Sequence, residues 1–165
     1  MDMVRSLSIV LLIAAALLYL HRAPPSDVKR IRVVDPASDI RAFAGAVPGA
    51  PLPGFLPAGW RPTSTSLTRT PTRLRIGYVT PVEQYAEYDA QAGDPGTFVA
   101  DVTAHAAPAG SLTVGGRVWQ QLRGRGGALS FVLSTPTVTV VLGSLRDSAS
   151  VEELTVLAQS LVSRG

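Results

Sequence analysis

The chain contains no cysteine. That excludes a disulfide framework, a thiolate nucleophile, a cysteine-ligated zinc and a lipid-modified N-terminal cysteine. An exported domain of this composition is held by its core alone. Lysine is nearly missing too: Lys29 is the single one, so fourteen of the fifteen basic residues are arginine. Together with abundant Ala, Gly and Pro, that bias points to a GC-rich bacterial genome. Histidine is scarce, and beyond residue 34 only His105 is present. One histidine and no cysteine are too few ligands for a zinc site, and no acidic run has the spacing of a calcium loop. No metal or cofactor is expected.

Net charge is also missing where the pI of 9.8 suggests it. From Asp35 onward the ten arginines match ten acidic residues, while residues 1–34 carry five basic and two acidic side chains. The basic excess is therefore a feature of the N-terminal segment, suited to anionic lipid headgroups. It is not a nucleic-acid footprint, and no nucleic-acid partner is expected.

Ser6 to Leu20 (SLSIVLLIAAALLYL) is a run of fifteen residues without a charge. As a helix it spans roughly 22 Å at ~1.5 Å per residue, and about 26 Å if Val4 is counted and Arg5 snorkels. A bilayer core is about 30 Å thick. The run has no polar face, which weighs against a soluble amphipathic helix. It reads as a short transmembrane anchor over residues 1–22, contacting lipid through residues 4–22, with a cleaved signal as the alternative. Ala14–Ala16 lie inside the run, and Ala23 is followed by Pro24, so cleavage sites are poor. Arg22, Lys29, Arg30 and Arg32 after the run would hold the domain inside by the positive-inside count. The habit of early apolar segments with a long C-terminal part favours the extracytoplasmic side, and that orientation is the expectation.

Residues 23–34 form a basic, proline-bearing linker, and residues 35–165 a single domain. Asp35-Pro36 resembles a helix start, followed by Ile40, Phe43, Ala44 and Val47 at helical spacing. Pro48–Pro57 is expected to be irregular, with Leu52, Phe55 and Leu56 covering a core edge. Strands are expected at 63–69, 73–80 and 84–90. Asp94-Pro95 should open a short helix carrying Phe98, Val99 and Val102. Leu112–Trp119 is two alternating runs around Gly115-Gly116, a two-residue hairpin turn. Strands at 128–134 and 137–143 follow. Ser150 and Glu153 form a capping box for a last helix with the stripe Leu154, Leu157, Ala158, Leu161 and Val162. The expected fold is α+β: a curved antiparallel sheet covered on one face by the C-terminal helix, with short additional helices and the N-terminal transmembrane helix.

Few residues carry candidate chemistry. Asp101 and His105 share a face if helical, but no nucleophile elbow accompanies them. Glu83, Glu87, Asp89 and Asp94 read as a solvated face rather than a carboxylate pair. Gly115-Gly116 lacks the lysine and the strand–helix context of a phosphate loop. Arg123 and Arg125 in the RGRGG loop could bind an anion, or belong to a mobile hairpin loop. Trp60, Tyr78 and Trp119 could line a ligand pocket, or be core aromatics with polar tips satisfied at the rim. These five are the candidate ligand or partner contacts.

Several blocks taken in order carry a resemblance: DMVRSLSIVLL (Asp2–Leu12), LPAGWRPTS (Leu56–Ser64), IGYVTP (Ile76–Pro81), TVGGRVWQ (Thr113–Gln120), TVTVVLGS (Thr137–Ser144) and EELTVLAQSL (Glu152–Leu161). The chain resembles an uncharacterised family of membrane-anchored actinobacterial proteins built on a domain of unknown function. It is more distantly similar to extracytoplasmic domains attached to bacterial anti-sigma and sporulation lipoproteins. The resemblance implies a curved antiparallel sheet with a C-terminal helix, and it assigns no catalytic residue. Family members often carry a Gln-containing aromatic strand after the YVTP block, and Glu83-Gln84-Tyr85 is the candidate here. The function expected is a membrane-anchored binding or structural module of the cell envelope, with an envelope protein as partner. A carrier or sensor of an apolar envelope molecule, or an enzyme, are the alternatives.

Overall fold

The computed structural model describes residues 32–93, 95–143 and 149–163. The proposed anchor and Asp94 lie outside these residues. No helix among the described residues is long and apolar enough to cross a membrane.

The domain is α+β, built on one antiparallel sheet. Helix α1 spans Ala37–Ala46, and strand β1 Pro51–Pro53. Strands β2 (Arg61–Leu67), β3 (Arg73–Val79) and β4 (Tyr85–Ala92) precede helix α2 (Phe98–Thr103). Strands β5 (Ala107–Val114), β6 (Arg117–Arg123), β7 (Leu129–Ser134) and β8 (Val138–Gly143) lead to helix α3 (Val151–Gln159) and strand β9 (Leu161–Ser163). Seven strands form the sheet in the order β2-β3-β4-β8-β7-β6-β5, and β1 pairs with β9 in a separate ribbon. All pairings are antiparallel. Each edge strand carries a proline and a register shift, at Pro62/Ser64 in β2 and Pro108/Gly110 in β5. Both devices blunt an edge against further pairing.

The alternation of side chains along β3, β4 and β8 sends Leu74, Ile76, Tyr78, Tyr88, Val140 and Leu142 into the main core. Helix α1 adds Phe43, and α3 adds Leu154, Leu157 and Ala158. Two helices thus cover this face, not the C-terminal one alone. Thr65 Oγ1 donates to Asp39 Oδ2 at 2.6 Å, tying α1 to the edge strand β2. The β1–β9 ribbon rests on the same side, where the buried Tyr88 hydroxyl donates to the Pro51 carbonyl.

Several local expectations hold. A helix does follow Asp35-Pro36, with Pro36 as its N-cap and not its first helical residue, and Asp35 Oδ1 accepts from the Ala37 N–H. Gly115 and Gly116 both have positive φ, 58° and 73°, which the tight turn between β5 and β6 requires. The Ser150–Glu153 capping box is present in both directions. Others need correcting. The last helix stops at Gln159, and Leu161 and Val162 belong to β9 because Pro51–Pro53 offers them a ladder. Pro51–Pro53 is correspondingly a strand, not irregular. Leu52 is buried there, but Phe55 is 89% exposed and covers no core. Helix α2 begins at Phe98, after Thr97, later than the Asp94-Pro95 start expected.

Candidate functional site

The second face of the sheet is divided. Over β6, β7 and β8 it is apolar: Leu122, Val132 and Val141 pack with Phe98 of α2 into a small second core. Over β2, β3 and β4 it is polar, because these strands place Ser64, Ser66, Arg73, Arg75, Tyr85, Glu87 and Asp89 on it by alternation. The charged residues meet diagonally across β3 and β4. Arg73 Nε and Nη2 donate to the two Asp89 oxygens at 3.0 and 2.6 Å. Arg75 Nη2 donates to Glu87 Oε2 at 2.7 Å, and the Tyr85 hydroxyl donates to the same oxygen at 3.0 Å.

The two pairs differ in their surroundings. Asp89 is 1% exposed. The Arg73 guanidinium lies 5.0 Å from the Phe98 ring centroid, so this pair also joins α2 to the sheet. The Arg75 side chain keeps 53% of its surface in solvent, over a nearly buried Glu87. The hydrogen bond to Asp89 raises the Arg73 pKa, and the one to Glu87 raises that of Arg75, in both cases against desolvation. Burial, then the charge of Glu87, raises the Tyr85 pKa. Gly77 keeps this row flat: a Cβ there would collide with the Tyr85 hydroxyl and Ser64 Oγ. With only one of its N–H groups on Glu87, the half-exposed Arg75 retains donors for an acceptor on a partner.

The acidic residues of β4 are therefore not a solvated face. Glu87 and Asp89 are buried because Arg75 and Arg73 cover and neutralise them. The sequence signal was present in Arg73-x-Arg75 on one strand and Glu87-x-Asp89 on the next. Two-residue spacing puts each pair on one face, and opposite signs on neighbouring strands invite cross-strand contacts.

Of the five candidate contacts, the three aromatics are part of the main core. Trp60 packs edge-on against the buried Tyr78, with centroids 6.1 Å apart. Tyr78 on β3 and Trp119 on β6 are four strands apart in the sheet order, and both face the main core. Trp119 is fully buried, and its indole N–H has no hydrogen-bond partner among the described residues, contrary to the expectation that such polar tips are satisfied at the rim. Arg123 and Arg125 are exposed at the β6–β7 connection. Asp101 and His105 do not share a helix face, since α2 ends at Thr103 and His105 has φ of 58°. No group of acidic, histidine or cysteine side chains suited to a metal exists among the described residues.

Fold and site together define a small α+β domain with a closed core on one side of its sheet and a half-open polar face on the other. A family model described as "Protein of unknown function (DUF4245)" matches residues 1–161. The chain belongs to that family. No curated protein and no solved structure matches it.

Proposed function

We propose that this chain is a single-pass, membrane-anchored module of a bacterial cell envelope, of actinobacterial type, whose domain binds a protein partner on the extracytoplasmic side. The observation carrying the binding reading is the row Ser64, Ser66, Arg75 and Tyr85 on the half of the face that α2 leaves open, with Arg75 held in place by Glu87. Such a fixed donor costs less to order on binding than a free side chain. The anchor reading is supported by the charge-free run at residues 6–20, which the family match includes. The aromatic side chains a carrier of apolar molecules would use are packed into the core, so binding of a polar surface is the reading put forward.

Ser66 is exposed and pairs with Arg75 across the strands, so a Ser66→Cys variant serves two tests. Without native cysteines, a membrane-impermeant thiol reagent has no background. Labelling of intact cells is expected; labelling only after lysis would overturn the extracytoplasmic reading. A photocrosslinker on the same cysteine should yield a discrete protein adduct. Adding Arg75→Ala should abolish the adduct without changing the circular dichroism spectrum. An adduct unaffected by that change would refute this face as the binding surface.

A further inference from the structure

Residues 63–73 (TSTSLTRTPTR) hold seven hydroxyl side chains in eleven positions. Serine- and threonine-rich sequence with proline is the composition of O-glycosylated segments. The chain contains no asparagine, so an N-linked sugar has no acceptor. Most of these hydroxyls are already engaged in the fold. Thr63 Oγ1 donates to the Gly77 carbonyl, and Thr65 Oγ1 to Asp39 Oδ2. Thr68 Oγ1 accepts from the Thr72 and Arg73 N–H groups and donates to the Thr70 carbonyl, where the Thr72 hydroxyl also donates. Ser64 and Ser66 are fixed in the β2–β3 ladder. Thr70 differs from all of these. It stands exposed in the turn between the two strands, and its hydroxyl makes no hydrogen bond among the described residues.

The chain has three Thr-Pro steps, and they sharpen the contrast. Thr80 is buried, and its Oγ1 accepts from the Gln84 N–H. Thr135 lies in the β7–β8 turn, where its Oγ1 accepts from the Val138 N–H and donates to the Val138 carbonyl. Among the described residues, Thr70 alone combines a following proline with an exposed and unengaged hydroxyl. We propose that Thr70 is the attachment point of an O-linked sugar. The inference rests on the extracytoplasmic reading above and goes beyond it. Pro71 holds the residue before it extended, and the Thr68 and Thr72 hydroxyls close the turn through the Thr70 carbonyl. The turn thus presents the Thr70 side chain without using its hydroxyl. In the attachment, the Thr70 oxygen attacks the anomeric carbon of a lipid-linked sugar phosphate. A carbon–oxygen bond forms there as the bond from that carbon to the phosphate oxygen breaks. The phosphate leaves on its lipid carrier, and the threonine proton passes to a base of the membrane-bound transferase.

The test is mass spectrometry of proteolytic peptides from the full chain, purified from the bacterium that makes it, beside a Thr70→Val variant. Thr70 lends the turn only its carbonyl, so Thr70→Val keeps the hydrogen bonds of the turn. The native peptide containing Thr70 should exceed its sequence mass by whole sugar residues, and the variant peptide should lose that excess completely. The peptide containing Thr135 should be bare. An equal sugar load on Thr135 would overturn hydroxyl availability as the reason for the choice of Thr70. Sugar retained by the Thr70→Val peptide would place the attachment on another hydroxyl and overturn the assignment. A bare Thr70 in cells whose Ser66→Cys variant is labelled from outside would overturn the attachment and leave the extracytoplasmic reading intact. Phosphate on Thr70, with Ser66→Cys labelled only after lysis, would overturn both.

Discussion

Replacing Arg73 with alanine should weaken the fold far more than its position on an open face suggests. Asp89 is 1% exposed, and both of its oxygens are held by Arg73. Breaking a buried pair by removing one partner costs about 3–5 kcal/mol, because a buried charge is left uncompensated. The Arg73 side chain is 37% exposed, so water can reach part of the vacated space. Discounted for that screening, the expected loss is about 2–3 kcal/mol. It includes the guanidinium–ring contact with Phe98, which holds α2 on the sheet. The assay is urea unfolding of the detergent-solubilised chain, followed by the fluorescence of the buried Trp119. With a slope of about 1–3 kcal/mol/M, the midpoint should fall by roughly 0.7–3 M. The double variant Arg73→Met with Asp89→Leu should recover to within about 1 kcal/mol of the native chain, since it removes both charges and extends the adjacent apolar cluster. A loss below about 0.5 kcal/mol for Arg73→Ala would refute the reasoning, as that is the range of an exposed pair.

Other substitutions test other features. Thr139 Oγ1 is fully buried on β8 without a hydrogen-bond partner among the described residues. Thr139→Val should therefore stabilise the domain by about 1 kcal/mol in the same unfolding assay; destabilisation would mean the hydroxyl is satisfied. Ala104 closes α2 in the left-handed region, at φ 50° and ψ 48°. Ala104→Gly should relieve that strain and stabilise by about 0.5–1 kcal/mol, read as a rise in thermal midpoint. Burial raises the pKa values of Tyr78, Tyr85 and Tyr88 above the ordinary 10.0. The folded state then holds these protons more tightly than the unfolded state. Their contribution is fully present below pH 10 and is lost as pH rises through the raised folded values. Phenolate absorbance should appear together with loss of secondary structure, above pH 10; ionisation of all three in an intact fold would contradict their burial.

Elements whose signal is local were legible in the sequence. Gly115-Gly116 dictates its turn, Ser150 and Glu153 satisfy each other across one helical turn, and β3 and β8 show period-two apolar residues. Elements decided by tertiary pairing were not. Nothing local stops α3 at Gln159; the stripe through Leu161 and Val162 continues, but Pro51–Pro53 captures those residues as a strand. The division of the second face was hidden for the same reason. Helix α2 has only six residues, too short to be stable alone, and it forms where Phe98 can reach the cluster of Leu122, Val132 and Val141.

The two arginine–carboxylate pairs then separate fold from function within one motif. Both are diagonal contacts between β3 and β4, and they are two residues apart. Phe98 of α2 touches Arg73 but leaves Arg75 half in solvent. Arg75 therefore holds no apolar element in place, and its loss leaves Glu87 with the Tyr85 hydroxyl and with water at the vacated position. Arg75→Ala should cost within about 1 kcal/mol of stability, against about 2–3 kcal/mol for Arg73→Ala. If Arg75 serves a partner, the same change should still remove the crosslink formed from position 66. A large stability loss on Arg75→Ala would make both pairs structural, and the open half of the face would then lose its claim to be a binding surface.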